Sequence, residues 1–248
     1  MPRFFLQIAY NGTHYHGWQI QPGAESVQGV INHRIATLLG LGDIETVGCG
    51  RTDTGVHASH FWLHFDAETM PGSDFIPRLN AFLPQDIAAY RLLEVDAEAH
   101  ARFGAVSRQY TYRIHLQKDP FLHGQSWQFN GQLDLDLMNQ AALRLLDYND
   151  FACFARTGGN NKTTICKVTF AEWQQLGMSL TFTIRADRFL RNMVRAIVGT
   201  ITDVGRGKMS MIEFDHLLKN GSRSDAGSSA PACGLYLSEV TYPFIHHT

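Results

Sequence analysis

Hydrophobic and polar positions along the chain alternate between two periods, and the changes of period mark out the elements. Arg3 to Tyr10 reads as a strand, closed by the turn signal Asn11-Gly12. A helical repeat follows: Val27, Val30, Ile31, Ile35 and Leu38 recur at three and four behind the cap residue Ser26, and Gly40 closes the run. Ile44 to Val47 and His60 to Phe65 predict strands on either side of a polar, glycine-rich stretch. Phe75 to Phe82 predicts a short helix with Pro77 in its first turn, stopped at Leu83-Pro84, and Ile87 to Val95 a returning strand.

In the second half, Tyr110, Tyr112, Ile114 and Leu116 alternate with polar residues between Arg108 and Leu116, the pattern of a strand with one apolar face. Asp134 to Asp147 carries Met138, Ala141, Ala142, Leu145 and Leu146 at helical spacing. Thr163 to Gln174 and Met178 to Ala186 predict an antiparallel pair turning near Gly177. Asp187 is placed to cap a helix from Arg188 to Val204, with Met193, Ile197, Ile201 and Val204 as its core stripe and Arg188, Arg191 and Arg195 near one another. Ser210 and Glu213 form a capping box for a final helix stopped by Asn220-Gly221, and Gly234 to Tyr242 adds a strand. Thr157-Gly158-Gly159-Asn160-Asn161 reads as a loop. Irregular alternation with an antiparallel hairpin predicts an α+β fold, not a doubly wound sheet.

Composition narrows this picture. With 248 residues, 44% of them hydrophobic, the chain has material for one large or two modest packed domains, which excludes disorder. The apolar run at the N-terminus is too short for a secretory signal, and no stretch reaches membrane-spanning length. Cys49, Cys153, Cys166 and Cys233 are widely spaced and include no CxxC pair, so a reducing cytoplasm is the expected compartment. A net charge of -2 excludes a protein that coats nucleic acid through bulk positive charge. Local basicity remains: Arg185, Arg188, Arg191, Arg195, Arg206 and Lys208 stand with only Asp187 and Asp203 among them.

Candidate chemistry centres on Gly48-Cys49-Gly50-Arg51-Thr52-Asp53-Thr54-Gly55-Val56-His57. Three glycines suggest backbone freedom and close approach of a ligand, and the predicted flanking strands would hold Asp53 on rigid supports. An ordinary turn is the competing reading. A carboxylate (Asp53), an aromatic plate (Tyr110) and a guanidinium (Arg195), if brought together, suit a nucleotide pulled out of its stack. Packing of Tyr110 in a core and a surface ion pair for Arg195 compete with that reading.

The chain resembles the tRNA pseudouridine synthase A (TruA) family over essentially its whole length. The resemblance rests on Gly50-Arg51-Thr52-Asp53-x-Gly55-Val56-His57-Ala58, Asn11-Gly12 with Gly17-Trp18-Gln19, Ala101-Arg102-Phe103, Arg108-x-Tyr110-x-Tyr112, Met193-Val194-Arg195-x-Ile197-Val198-Gly199 and Ala230-Pro231-Ala232-x-Gly234-Leu235. It implies two ferredoxin-like halves sharing a mixed, mainly antiparallel sheet: residues 1–105 with the Asp loop, residues 106–248 with the Tyr strand and the Arg helix. It also implies isomerisation of uridine to pseudouridine at positions 38, 39 and 40 of the tRNA anticodon arm, by a cytoplasmic homodimer that uses no cofactor and no metal. Asp53 would be the catalytic carboxylate, Tyr110 the stacking and catalytic tyrosine and Arg195 the basic partner of the aspartate, with Arg51, Arg102 and Arg191 binding substrate. The chain departs from the family pattern at Thr54, where alanine is usual, at Ser59-His60-Phe61-Trp62, and at Arg191-Asn192, where many relatives carry histidine.

Three other functions compete. His57, His60 and His64, with Asp53 and Asp66 nearby, suggest a metal site, although His60 and His64 on one strand stand about 13 Å apart. An RNA-binding protein without catalysis has no chemical need for Asp53, Tyr110 and Arg195 together. A nucleoside glycosidase using the same carboxylate would release free uracil.

Overall fold

The computed structural model describes residues 1–68, 70–156, 158 and 162–245, so most of the loop at 157–161 lies outside the described residues. The chain forms two compact units, Met1–Val106 with Tyr236–Thr248, and Ser107–Leu235.

In the first unit, β1 (Arg3–Tyr10) is followed by α1 (Val27–Leu39), β2 (Val47–Gly48), β3 (His57–Asp66), α2 (Phe75–Phe82) and β4 (Ile87–Val95). β1 pairs antiparallel with β3 on one side and β4 on the other. A strand paired on both sides has no edge to expose, and Phe4, Phe5, Leu6 and Ile8 of β1 are fully buried. α1 has the predicted ends: the Ser26 side chain accepts from the Gly29 N–H, and Gly40 closes the helix in the left-handed region. Of the predicted stripe, Val27, Ile31 and Ile35 are buried, while Val30 and Leu38 are half-buried.

One expected strand shrinks. Ile44 to Val47 is strand only from Val47, because the segment before it is held by side chains of α1 instead of a strand partner. The Gln28 amide donates to the Thr46 carbonyl at 2.7 Å, and the Thr46 hydroxyl donates to the Asn32 side chain at 2.6 Å.

The second unit runs β5 (Ser107–His115), β6 (Trp127–Gln128), α3 (Leu135–Arg144), β7 (Val168–Leu176), β8 (Ser179–Ala186), α4 (Met193–Gly205) and α5 (Met211–Asn220). β5 lies antiparallel to β8, β8 antiparallel to β7, and β6 parallel to β5. Gly177 makes the β7–β8 turn at φ +59. Asn139 of α3 pairs with both backbone groups of Trp173, pinning the helix to β7. The capping box of α5 is present as predicted.

The main departure from expectation is at the start of α4, which begins at Met193 and not at Arg188. Asp187 is not its cap: one Asp187 oxygen accepts from both the Lys167 and Arg188 N–H groups and fastens the end of β8 instead. Asn192, at φ +67, turns the chain into the helix. Only Arg195 of the three predicted arginines therefore stands on α4. Arg188 and Arg191 precede that helix while Arg206 and Lys208 follow it, about 20 Å away along 13 residues. The basic residues do not form one helix face.

A last strand, β9 (Leu235–Thr241), returns to the first unit and runs parallel to β3, with His57 opposite Tyr236. The fold is α+β, as the sequence pattern predicts, with five α-helices among the described residues and the mixed, mainly antiparallel strand pairing that the resemblance implies.

Candidate active site

The Asp53 stretch is an irregular loop between β2 and β3, and neighbouring backbone holds it from several sides. Cys49 N–H donates to the Trp62 carbonyl at 2.8 Å, Trp18 N–H to the Thr52 carbonyl at 3.4 Å, and Gly55 N–H to the Tyr15 carbonyl at 3.2 Å. Val56 N–H closes a turn on the Asp53 carbonyl, and the hydroxyls of Tyr10 and Thr52 share a hydrogen bond of 2.9 Å. Asp53 is half-buried and Arg51 exposed at the loop's edge.

The segment from Asn11 to Trp18 can lie against this loop only because Gly17 has no side chain. It sits at φ +82, and a Cβ there would stand 2.2 Å from the Thr52 carbonyl oxygen. Within the loop itself, Gly55 adopts φ +76 and Gly48 packs against the Trp18 and Phe61 rings. A Cβ on Gly50 would meet nothing within 4 Å and its φ is not positive, so of the three glycines Gly55 uses backbone freedom, Gly48 allows close packing, and Gly50 is held to glycine by neither.

The three histidines of β3 have structural partners. Each Nδ1 accepts a backbone N–H from a different segment: His57 from Gly12 at 3.0 Å, His60 from Val240 at 3.2 Å, and His64 from Ala101 at 3.1 Å. His57 also stacks on Tyr236 and His64 on Phe5. Burial, helped by the Arg3 charge, lowers the His64 pKa to about 4, so the ring is a neutral acceptor near neutral pH. The described residues contain no group of three His, Cys, Asp or Glu side chains arranged to hold a metal ion.

In the second unit, Tyr110 lies on β5 opposite Ile184 and meets the Phe189 ring edge-on at 5.2 Å. Sequence reasoning missed Phe189, which buttresses the tyrosine from the segment before α4. Tyr112 shares the strand face of Tyr110 and donates to the Pro231 carbonyl at 2.8 Å. Burial pushes the Tyr112 phenol well above its ordinary range, with the Arg195 charge opposing that push. Arg195 is thus within electrostatic reach of Tyr112.

A reciprocal backbone clasp fixes Arg195. Its Nε donates to the Ala230 carbonyl at 2.7 Å, while the Ala230 N–H donates to the Arg195 carbonyl at 2.9 Å. The chain around Ser228 lies so close to α4 that a Cβ on Gly199 would stand 1.8 Å from the Ser228 carbonyl oxygen. Met193 to Gly199 and Ala230 to Ala232, far apart in sequence, are therefore two sides of one support. Asp53, Arg51 and Arg102 belong to the first unit, and Tyr110, Arg191 and Arg195 to the second. Arg191 is exposed. Arg102 is also exposed, its guanidinium carbon 5.6 Å from the centre of the Phe103 ring.

Cys153 and Cys166 do not fit the part of a nucleophile near neutral pH. Burial raises Cys153 to about 12 and Cys166 to about 11, which keeps both protonated.

Comparison with known proteins decides the family. A family model described as tRNA pseudouridine synthase matches residues 141–243. The chain is 48% identical over 244 residues to tRNA pseudouridine synthase A of Bacteroides fragilis, covering 97% of this chain and 96% of that protein. Identity to the protein of the same name is 47% over 248 residues in Porphyromonas gingivalis, with 98% of each chain covered. In Acetivibrio thermocellus it is 38% over 240 residues, covering 96% of this chain and 98% of the relative.

The chain belongs to the tRNA pseudouridine synthase family. Within a tRNA pseudouridine synthase framework, the departures noted in the sequence occupy identifiable places. Thr54 is exposed, Phe61 and Trp62 are buried core residues, and His60 holds the Val240 N–H. Asn192 makes the left-handed turn into α4, and its amide donates to the Ser229 hydroxyl at 2.7 Å.

Proposed function

We propose that this chain converts uridine to pseudouridine in tRNA at positions 38, 39 and 40 of the anticodon arm, as a homodimer and without cofactor or metal. Asp53 is the catalytic carboxylate. Tyr110 stacks on the extruded uracil, and Arg195 stabilises the charged aspartate or the developing charge beside it. Arg51, Arg102 and Arg191 grip the RNA backbone. The reaction breaks the bond between N1 and the ribose C1′, turns the uracil, and joins C5 to C1′; the C5 proton is lost and N1 gains one. It is an isomerisation with no net redox change.

The observation that most supports this reading is the construction of the two supports. A half-buried carboxylate sits on a loop fastened by backbone hydrogen bonds, and a guanidinium is clasped by the Ala230 backbone beside a tyrosine face. Extruding a base from a stem costs about a few kcal/mol, which stacking and phosphate contacts must offset. Asp53 must be ionised for any of its three possible acts, attack on the sugar, attack on the uracil ring, or removal of a ribose proton.

The test is incubation of the protein with an anticodon-arm transcript carrying uridine at the three positions, beside one with cytidine there, followed by nucleoside analysis. Pseudouridine from the first and none from the second is expected. Free uracil would mean a glycosidase, and tight binding with no product would mean an RNA-binding protein without this activity.

A further inference from the structure

The turn between β4 and β5 is built with more care than a connection needs. Ala101 is fully buried and anchors it: its N–H donates to His64 Nδ1, and its carbonyl accepts from the buried Tyr242 hydroxyl. Arg3, paired with Asp66 through two hydrogen bonds of 2.8 Å, also donates to the Ala99 carbonyl at 2.9 Å. The turn then closes on itself. His100 Nδ1 accepts from the Arg102 and Phe103 N–H groups at 3.1 and 3.2 Å, and Gly104 N–H donates to the His100 carbonyl.

This fastening presents an aromatic ring to solvent. Phe103 is 77% exposed, although the residue two positions before it is wholly buried. The His100 ring supports it at 4.4 Å between centroids, and the Arg102 guanidinium carbon lies 5.6 Å from its centre. Scattered exposed apolar side chains are ordinary on protein surfaces. A single ring braced by a second ring, next to a cation and on a backbone fixed from both sides, is a surface suited to a planar, anion-bearing ligand. A nucleotide supplies both parts: a base face for the ring and a phosphate for the cation.

We infer that Phe103 is an RNA-contact residue, stacking on an unpaired base of the tRNA while His64 and His100 act as positioning residues for the turn. The inference rests on the tRNA reading proposed above, and the base it engages is not the uridine under reaction, which Tyr110 stacks upon. Phe103 contributes binding and placement of the RNA, not chemistry.

The test compares wild type with Phe103→Ala, Phe103→Leu and Phe103→Trp, using unmodified tRNA transcript in filter binding at one fixed salt concentration, with sedimentation velocity and pseudouridine formation alongside. Phe103→Ala should weaken binding roughly tenfold, the scale of one lost base–aromatic stack. Phe103→Leu, which keeps apolar bulk but no π face, should weaken it several-fold, and Phe103→Trp should restore it. If the alanine variant fails to fold, the leucine and tryptophan variants carry the comparison. Affinity within twofold of wild type in both Phe103→Ala and Phe103→Leu would overturn the inference. A change in sedimentation on Phe103→Ala would also overturn it, by assigning the ring to a contact between subunits. Wild type that binds tRNA but makes no pseudouridine would defeat the proposed activity while leaving the Phe103 comparison intact; wild type that does not bind tRNA would defeat both.

Discussion

Arg195 shows how much of a side chain's role lies in what fixes it. With Nε committed to the Ala230 carbonyl, the guanidinium is held in one orientation, and the role proposed for Arg195 depends on that orientation. Arg195→Gln should therefore lower the single-turnover rate of pseudouridine formation by about 100-fold or more, the scale of one oriented electrostatic group. tRNA affinity should change by less than about tenfold, and equal losses in rate and affinity would reduce Arg195 to a phosphate anchor. His64 makes a different kind of prediction. Its folded pKa of about 4 lies below the ordinary 6.5, so the unfolded chain takes up this proton first as pH falls. The stabilisation is complete above pH 6.5 and is lost progressively toward pH 4, a loss of about 1–3 kcal/mol. His64→Asn keeps an acceptor near the Ala101 N–H but does not titrate. Its thermal midpoint should fall less over that range than wild type's, and equal falls would rule out His64 as the source. The three histidines also mark a limit of reading residues by type. Their spacing suggested a metal, but their partners Gly12, Val240 and Ala101 are distant in sequence and leave no local signature.

Elements with strong local signals were legible in the chain. The Ser26 and Ser210 caps, the Gly177 turn and the bounds of β1, α2 and β4 follow from periodicity and capping chemistry. α4 was misread because Asp187 carries the right residue type for a cap but spends its oxygen on the Lys167 and Arg188 N–H groups. A non-glycine residue at positive φ, Asn192, then begins the helix, a conformation that local propensity does not predict. The clasp between α4 and the Ser228–Ala230 chain was legible only as two separate resemblance motifs. Its physical basis is the close approach at Gly199. Gly199→Ala must push the Ser228 carbonyl away, and overpacking of this kind costs about 1–3 kcal/mol. The same displacement carries the Ala230 carbonyl off Arg195. The variant should melt at lower temperature and also lose single-turnover rate at temperatures where it remains folded. A lowered midpoint with an unchanged rate would separate the clasp from the reaction.

At the scale of the whole molecule, a net charge of -2 provides no bulk attraction for RNA, so the proposed contacts are local: the arginines at the Asp53 loop and around α4, and the Phe103 turn. The α+β class was readable from the order and spacing of the elements. The candidate site residues were not, because no periodicity in the sequence links Asp53, in one unit, with Tyr110 and Arg195, in the other, as a set. Family resemblance supplied that link, and only the chemistry can test it. The most direct measurement is single-turnover pseudouridine formation by wild type and Asp53→Asn on the same anticodon-arm RNA, with binding of each measured in parallel. The account predicts product from wild type and none from Asp53→Asn at comparable affinity. Pseudouridine formed by Asp53→Asn at the wild-type rate would contradict it, since the loop would then hold a turn residue and not the catalytic carboxylate.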